Sequence, residues 1–568
     1  MKMIKKATLC LGLVVMGSSA FAQSLEDAKK AIDAEQYQKA TTMLKSLVSS
    51  QASKPENYYY LGEVYLLKEY VDSARAIFTK GITADPKYSL NYVGLGHADL
   101  ISDNAASAKT NFDKAIEVAK KKDHVPYLYI GKAYISNDKP DFAAALPNLQ
   151  KADELDAKDQ DVETFVALGD FYAAQKKNSE ALQNYMRALN INEKLLRAKV
   201  QIGRMYKESR AFPESETELN DAITADPNYG PAYREIAELY MQWANQLPQE
   251  FDAKAALALT NYKKYLDLTD QSFDSRLRYA QFLFYARDFK TLQEETNSLA
   301  TVSPNDPKSL IVSRLRGYSA YENAAYPQGV EYMTDFFSKV KDTTRIVGSD
   351  YVYLGKSLLK SGNDSLAYIN ILKGVQKDST QADALEELGN ALLKAKKYGK
   401  SADVYAMAVK YNPDGNNWLT NSYYVGVNRY FEGYYAKQAK KPIEEASIKS
   451  ADAALAKVNE KAPEFPLAYF YRARLANLLD DENSSKGLSV PFYEQFVELV
   501  TVKKPELAAA NKTQLIESYN NLGAWYAEKD RAKGIGYLNK SVELDPNGGY
   551  APIKLKELNT PAKPAGKK

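Results

Sequence analysis

Glu56–Tyr88 reads ENYYYLGEVYLLKEYVDSARAIFTKGITADPKY, and this stretch decides the fold. Tyr58, Leu61, Gly62 and Tyr65 fall at i, i+3, i+4 and i+7, the spacing of one helical face. After a short polar break near Glu69, Ala74, Phe78 and Gly81 repeat that spacing. Pro86 then ends the unit, because a helix does not run through proline. The stretch therefore predicts two antiparallel amphipathic helices. Gly62 and Ala74 let the backbones approach where the helices cross, and Tyr58, Leu61, Tyr65 and Phe78 fill the space around the crossing. One such pair cannot bury its own apolar face, so the sequence should repeat it.

It does. Leu61-Gly62 is followed by Leu95-Gly96, Ile130-Gly131, Leu168-Gly169, Ile202-Gly203 and Ile236-Ala237, with steps of 34, 35, 38, 34 and 34 between the small residues. Leu354-Gly355 and Leu388-Gly389 are again 34 apart, and Leu522-Gly523 comes later. Tyr65, Tyr134, Tyr172, Tyr206, Tyr240 and Tyr526 recur three positions after the small residue. Ala108, Ala181 and Ala402 mark second helices, and Pro86, Pro227, Pro413, Pro463 and Pro546 close units. The pattern resembles the tetratricopeptide repeat (TPR), which carries a bulky residue, Leu-Gly, Tyr, Ala, Phe, Ala and Pro over 34 residues. Gly81 stands where that pattern has alanine. The resemblance implies an all-α fold: an α-solenoid, wound as a right-handed superhelix of about thirteen antiparallel helix pairs.

The chain divides as follows. Residues 1–22 read as a signal peptide: Lys2, Lys5 and Lys6, an apolar run from Ala7 to Met16, and a small-x-small site at Ala20-Phe21-Ala22. Cleavage between Ala22 and Gln23 is expected. The apolar run is too short to span a bilayer, and no later run reaches about 18 apolar residues. The single cysteine, Cys10, lies in this segment after the bulky Leu9, which argues against lipidation. The exported chain then has no disulfide to form. Residues 23–271 read as an N-terminal array, with Ser24–Ser53 as its capping pair. Residues 272–342 hold two degenerate repeats broken at Ser303–Pro307. Residues 343–558 form a C-terminal array with insertions, closing on a short helix from Lys554. Residues 559–568 form a disordered Pro/Ala/Lys tail.

Composition narrows the function. The chain has 75 basic and 72 acidic residues. The leader holds three lysines and no acid, so the exported chain is formally neutral, which argues against nucleic acid or anionic lipid as a bulk partner. The only histidines, His97 and His124, lack metal-ligand spacing and a Gly-x-Ser-x-Gly elbow. His97 is expected to face solvent, and His124 to lie in a loop. Gly94-Leu95-Gly96 lacks the third glycine and the strand of a phosphate loop. Asp481, Asn483 and Ser485 alternate like calcium ligands but lack the loop glycine and the closing acid, and Asp156, Asp159 and Asp161 fail the same test. No cofactor, metal or enzymatic activity is expected.

By the resemblance, first helices line a concave groove that binds a peptide or a protein. The position after each small residue gives Glu63, His97, Lys132, Asp170, Arg204, Glu238, Lys356 and Asn390, a polar row of mixed sign. Tyr59 and Tyr129 are expected beside it, facing inward. The Lys and Asn of a chaperone-type carboxylate clamp are missing: the matching pairs are Tyr59 with Glu63, Val93 with His97 and Val166 with Asp170. The reading is a non-enzymatic periplasmic scaffold for an envelope protein or peptide, within a transport, secretion or outer-membrane assembly system. A secreted or outer-membrane-associated location is the alternative address. The alternative function is glycan or small-ligand binding over Tyr423–Phe496, where aromatics neighbour Arg472, Arg474 and Asn477.

Overall fold

The computed structural model describes residues 24–560 apart from 138, 157, 159, 303–307 and 481–484. The expected leader with its Ala22–Gln23 site, the break at Ser303–Pro307, the loop residues Asp159, Asp481 and Asn483, and nearly all of the expected tail lie outside the described residues. Those residues hold 29 α-helices, and the chain divides into two compact units, Met1–Ser303 and Pro304–Lys568.

The first unit contains eight consecutive helix pairs. They are α1 (Leu25–Asp33) with α2 (Tyr37–Ser50), α3 (Pro55–Leu67) with α4 (Val71–Ala84), α5 (Ser89–Ile101) with α6 (Ala105–Val118), and α7 (Val125–Ile135) with α8 (Phe142–Leu155). Then follow α9 (Val162–Ala174) with α10 (Asn178–Ile191), α11 (Leu196–Glu208) with α12 (Phe212–Ala225), α13 (Gly230–Gln246) with α14 (Phe251–Leu268), and α15 (Phe273–Tyr285) with α16 (Phe289–Val302).

The second unit contains six pairs and a final helix. The pairs are α17 (Ser309–Glu322) with α18 (Tyr326–Lys339), α19 (Gly348–Lys360) with α20 (Asp364–Lys377), and α21 (Asp383–Lys394) with α22 (Tyr398–Tyr411). Then come α23 (Trp418–Gln438) with α24 (Glu445–Lys461), α25 (Pro466–Leu479) with α26 (Val490–Glu498), and α27 (Lys512–Lys529) with α28 (Arg531–Leu544). The unit ends on α29 (Tyr550–Asn559). The final helix starts four residues before the expected Lys554. Pro552 sits in its first turn, where the missing N–H has no intrahelical partner to lose.

The crossing in most pairs is the steric device that the spacing predicts. A Cβ on Gly62 would lie 2.2 Å from the Phe78 ring, and one on Gly94 of the following pair 2.3 Å from it. Phe78 is thus held between two glycines and is fully buried. The same contact recurs between the small residue of one first helix and Phe112, Tyr185 or Tyr405 of its partner. The cores are correspondingly serial. Phe78 and Phe112 share one cluster with Tyr59, Phe165 and Tyr185 share the next, and Tyr493 and Phe496 anchor the last.

The turns inside the pairs follow a second rule. Glu35, Glu69, Asp103, Lys176 and Arg210 hold φ between 55° and 64°, each just after a first helix. The residue after this turn bonds back into the helix, as Tyr70 N–H does to Tyr65 O at 2.8 Å, which satisfies a terminal carbonyl. In the second unit the same position is filled by Ala324, Gly362, Lys396 and Lys440.

Candidate interaction surface

Successive first helices of the first unit touch one another: α1 with α3, α3 with α5, α5 with α7, α7 with α9, and α11 with α13. They form a wall, and the polar row of the sequence lies along it. Members of the row pair between repeats. His97 Nδ1 lies 3.6 Å from Glu63, and its Nε2 lies 3.1 Å from Ser136 Oγ. Lys132 Nζ donates to Glu163 at 3.1 Å, and Arg197 donates to the same carboxylate at 2.7 Å. Burial alone would raise the Glu163 carboxyl, but Lys132 and Arg197 more than offset it and hold it well below the ordinary range. Lys207 donates to Glu235 at 2.8 Å, and Arg278 grips Glu238 with two hydrogen bonds of 2.7 and 2.5 Å. Across the second unit, Lys356 and Lys360 reach Glu387 at 3.1 and 2.8 Å.

The remaining candidates occupy different settings. Tyr59 is 1% exposed, edge-on to Tyr129 at 5.5 Å, and presents no surface. Tyr129 is half-buried, with Lys132 over its ring at 4.8 Å and its hydroxyl 3.4 Å from that of Tyr60. Asp170 accepts from Tyr185 at 2.7 Å, and Asn390 from Tyr405 at 2.9 Å. These two positions of the row therefore anchor the partner helix's buried aromatic. Arg204 is open to solvent, with a 51% exposed side chain and Glu208 at 2.9 Å. His97 does not face solvent as expected. Its side chain is only 13% exposed, because Glu63 sits one repeat before it on the same wall. His124 stands at the N-terminal edge of α7, 3.1 Å from Asp161.

Glu63, His97 and Ser136 follow one another in the order of a hydrolytic triad, a juxtaposition that the spacing did not suggest. Ser136, however, closes the C-terminus of α7, where a helix presents carbonyls and negative potential. An oxyanion needs converging N–H donors, the opposite of what this helix end offers.

The aromatic C-terminal region is likewise engaged with itself. Arg472 pairs with Asp452 at 2.8 Å and lies over Phe492. Arg474 pairs with Glu517 and lies over Tyr430, Phe470 and Tyr471. Asn477 donates to Tyr493 at 3.3 Å and to Asn521 at 3.2 Å. Phe470, Tyr493 and Phe496 are buried. This arrangement does not favour a glycan site, since the groups that would bind a sugar already hold one another.

The wall of the first unit also closes. The turn between α1 and α2 meets α13 and α14, six pairs along. Glu35 accepts from Arg234, and its second oxygen accepts from Tyr265 at 2.8 Å. Gln38 N–H donates to Asp270 at 2.5 Å. Ala34 packs into the cluster of α11–α15, and its carbonyl lies 3.3 Å from where a Cβ on Gly230 would be. Asp33 meets Tyr229 and lies near Arg197. Burial holds the Asp33 carboxyl above its ordinary range, with Arg197 opposing. The Tyr265 hydroxyl is pushed up to about 12 by burial and by Glu35. The expected N-terminal cap is therefore a cap on both its faces.

Among the described residues no helix is long and apolar enough to cross a membrane. The family model for the tetratricopeptide repeat matches residues 55–88 and 162–195. No curated protein matches the chain. Many solved structures do. The C-terminal part of a TPR repeat-containing protein from Cytophaga hutchinsonii is 25% identical, covering 49% of this chain and 99% of its own, at a TM-score of 0.34. A tetratricopeptide repeat protein from Parabacteroides merdae is 18% identical, covering 47% and 98%, at a TM-score of 0.32. YrrB, described as a TPR protein with an unusual peptide-binding site, is 20% identical, covering 33% and 95%, at a TM-score of 0.22. These superpositions are partial. The assignment rests on the repeated helix pairs and on the two matched repeats.

Proposed function

This chain is a tetratricopeptide-repeat protein, and from that premise we propose that it is a non-enzymatic scaffold binding an envelope protein or peptide along its first-helix walls. The repeat fold supports a protein-interaction role in general. The finer reading is supported by one observation above all: the first helices carry charged side chains of both signs in register, and part of this row remains open to solvent. Mixed charge at fixed spacing favours a partner of complementary pattern over a bulk polyanion. The leader-like sequence at residues 1–22 and the neutral composition of the rest support a periplasmic address, with a transport, secretion or outer-membrane assembly system as the setting.

The test is a crosslinked pull-down of the tagged chain from cell envelopes, read by mass spectrometry. A few stoichiometric envelope proteins are expected. Arg204→Glu should deplete them more than Asp170→Asn, because Asp170 is turned toward Tyr185. A clean blank from folded protein would overturn the scaffold reading.

A further inference from the structure

Ring closure in the first unit is made by acids on one side and by cations and hydroxyls on the other. The closing turn brings Asp33 and Glu35, two residues apart. The receiving side, on α11, α13 and α14, brings Arg197, Tyr229, Arg234 and Tyr265. Asp270 adds an acceptor for a backbone N–H of the incoming helix. The receiving side is built to hold carboxylates. Arg234 and Arg197 are partly buried, with 32% and 27% of their side chains exposed, and neighbouring acids keep them cationic against that burial. Arg197 Nε is buried and makes no hydrogen bond of its own. An arginine in such a setting gains most from a second carboxylate that reaches it.

We propose that α1 and α2 act as a built-in pseudo-ligand, and that the seat on α11–α14 recognises an acidic helix-turn segment of a partner protein. The partner's two carboxylates, spaced like Asp33 and Glu35, take the same places when the closing pair swings out. This inference rests on the scaffold reading and names the chemistry of the partner. The link is suited to exchange. It joins segments 199 to 232 residues apart through a few polar contacts, with one small apolar contact at Ala34. The closing pair has its own core with α3 and so stays folded and tethered when released. A competing segment then needs only to outbid Glu35 and Asp33 for the same donors.

The test uses the full chain and a fluorescent peptide of residues 24–38, SLEDAKKAIDAEQYQ. In Glu35→Lys the closing turn is repelled by Arg234, so the seat opens. The peptide should bind this variant at least ten-fold tighter than the unaltered chain. The paired reversal, Glu35→Lys with Arg234→Glu, should shut the ring again and abolish the gain. A peptide carrying glutamine in place of both Asp33 and Glu35 should bind no better to the variant than to the unaltered chain. Amide exchange in α2, α13 and α14 reports opening independently of the peptide. Should Glu35→Lys fail to fold, Glu35→Gln serves for opening, with a smaller gain. Opening without peptide binding overturns the proposal and leaves the scaffold reading standing, since the pull-down tests that separately. Equal binding of the glutamine peptide overturns it as carboxylate recognition.

Discussion

The two units are built from the same helix pair, yet their polar links differ in reach. In the second unit ion pairs join near neighbours: Arg314 of α17 with Asp350 of α19, Lys356 of α19 with Glu387 of α21, and Arg474 of α25 with Glu517 of α27. The first unit has links of this kind and adds the bond from Glu35 to Arg234 across 199 residues. Stability in an open array is close to a sum of local terms, each felt only by adjacent repeats. A closed array couples its ends, so that a loss at α1 is felt at α14. The difference shows that one repeat grammar supports two modes of cooperativity, decided by a handful of side chains.

The sharpest challenge to this contrast is Asp350→Ala. Asp350 is fully buried and accepts four hydrogen bonds: two from Arg314 at 2.7 and 3.0 Å, one from Tyr318 at 2.8 Å and one from Val347 N–H at 2.8 Å. Removing it strands a guanidinium and should cost about 3–5 kcal/mol. Hydrogen exchange should quicken in α17–α20 and stay unchanged in α1–α16. Spread into the first unit would break the picture of local terms.

A smaller effect compares the turns. Gly362 holds φ +84°, with nothing within 4 Å of an added Cβ, whereas Glu69 holds φ +62° with a side chain. Gly362→Ala should destabilise the second unit by about 1 kcal/mol, and Glu69→Gly should stabilise the first by no more than that. Denaturant midpoints read both. Shifts of equal sign would show that the side chains, and not the backbone, set the turn energies.

The smallest effect is in pH. The folded-state carboxyl of Glu163 lies below its unfolded value of about 4.3. The unfolded chain therefore binds more protons in acid, and this stabilisation is complete above that value and lost as pH falls through the folded one. About a third of the side chain is exposed, so solvent screening limits the term to below about 1 kcal/mol. Glu163→Gln should lower the melting temperature slightly at pH 7 and flatten its decline below pH about 4. An unchanged acid limb would show that Lys132 and Arg197 do not act on it.

What the sequence discloses follows from distance along the chain. Gly62 and Phe78 lie 16 positions apart and recur at a fixed step, so the crossing can be read before any coordinates. The row from Glu63 to Asn390 is legible as a row for the same reason. Its internal pairing is harder to read. Glu163 and Arg197 are 34 apart, one full repeat, and opposite charges at equal register in adjacent repeats are the signal that finds them. His97 paired with Glu63 obeys the same rule, also at 34 positions. The closure of Glu35 on Arg234 leaves no such trace, since no period relates a turn residue to a helix six pairs later. It arises from the summed rotation of all the intervening pairs, each of which depends on loop length and side-chain volume.

That closure has a consequence for how such a chain can change over generations. A linear array tolerates the duplication or loss of a unit, because every junction is like the next. The first unit does not share that freedom. Like a geared wheel, it meshes only at one tooth count, and inserting or deleting a single pair between Glu35 and Arg234 would carry the two past each other. The closure predicts that variation in repeat number falls in the stretch beyond α14, with the first seven pairs kept as a set.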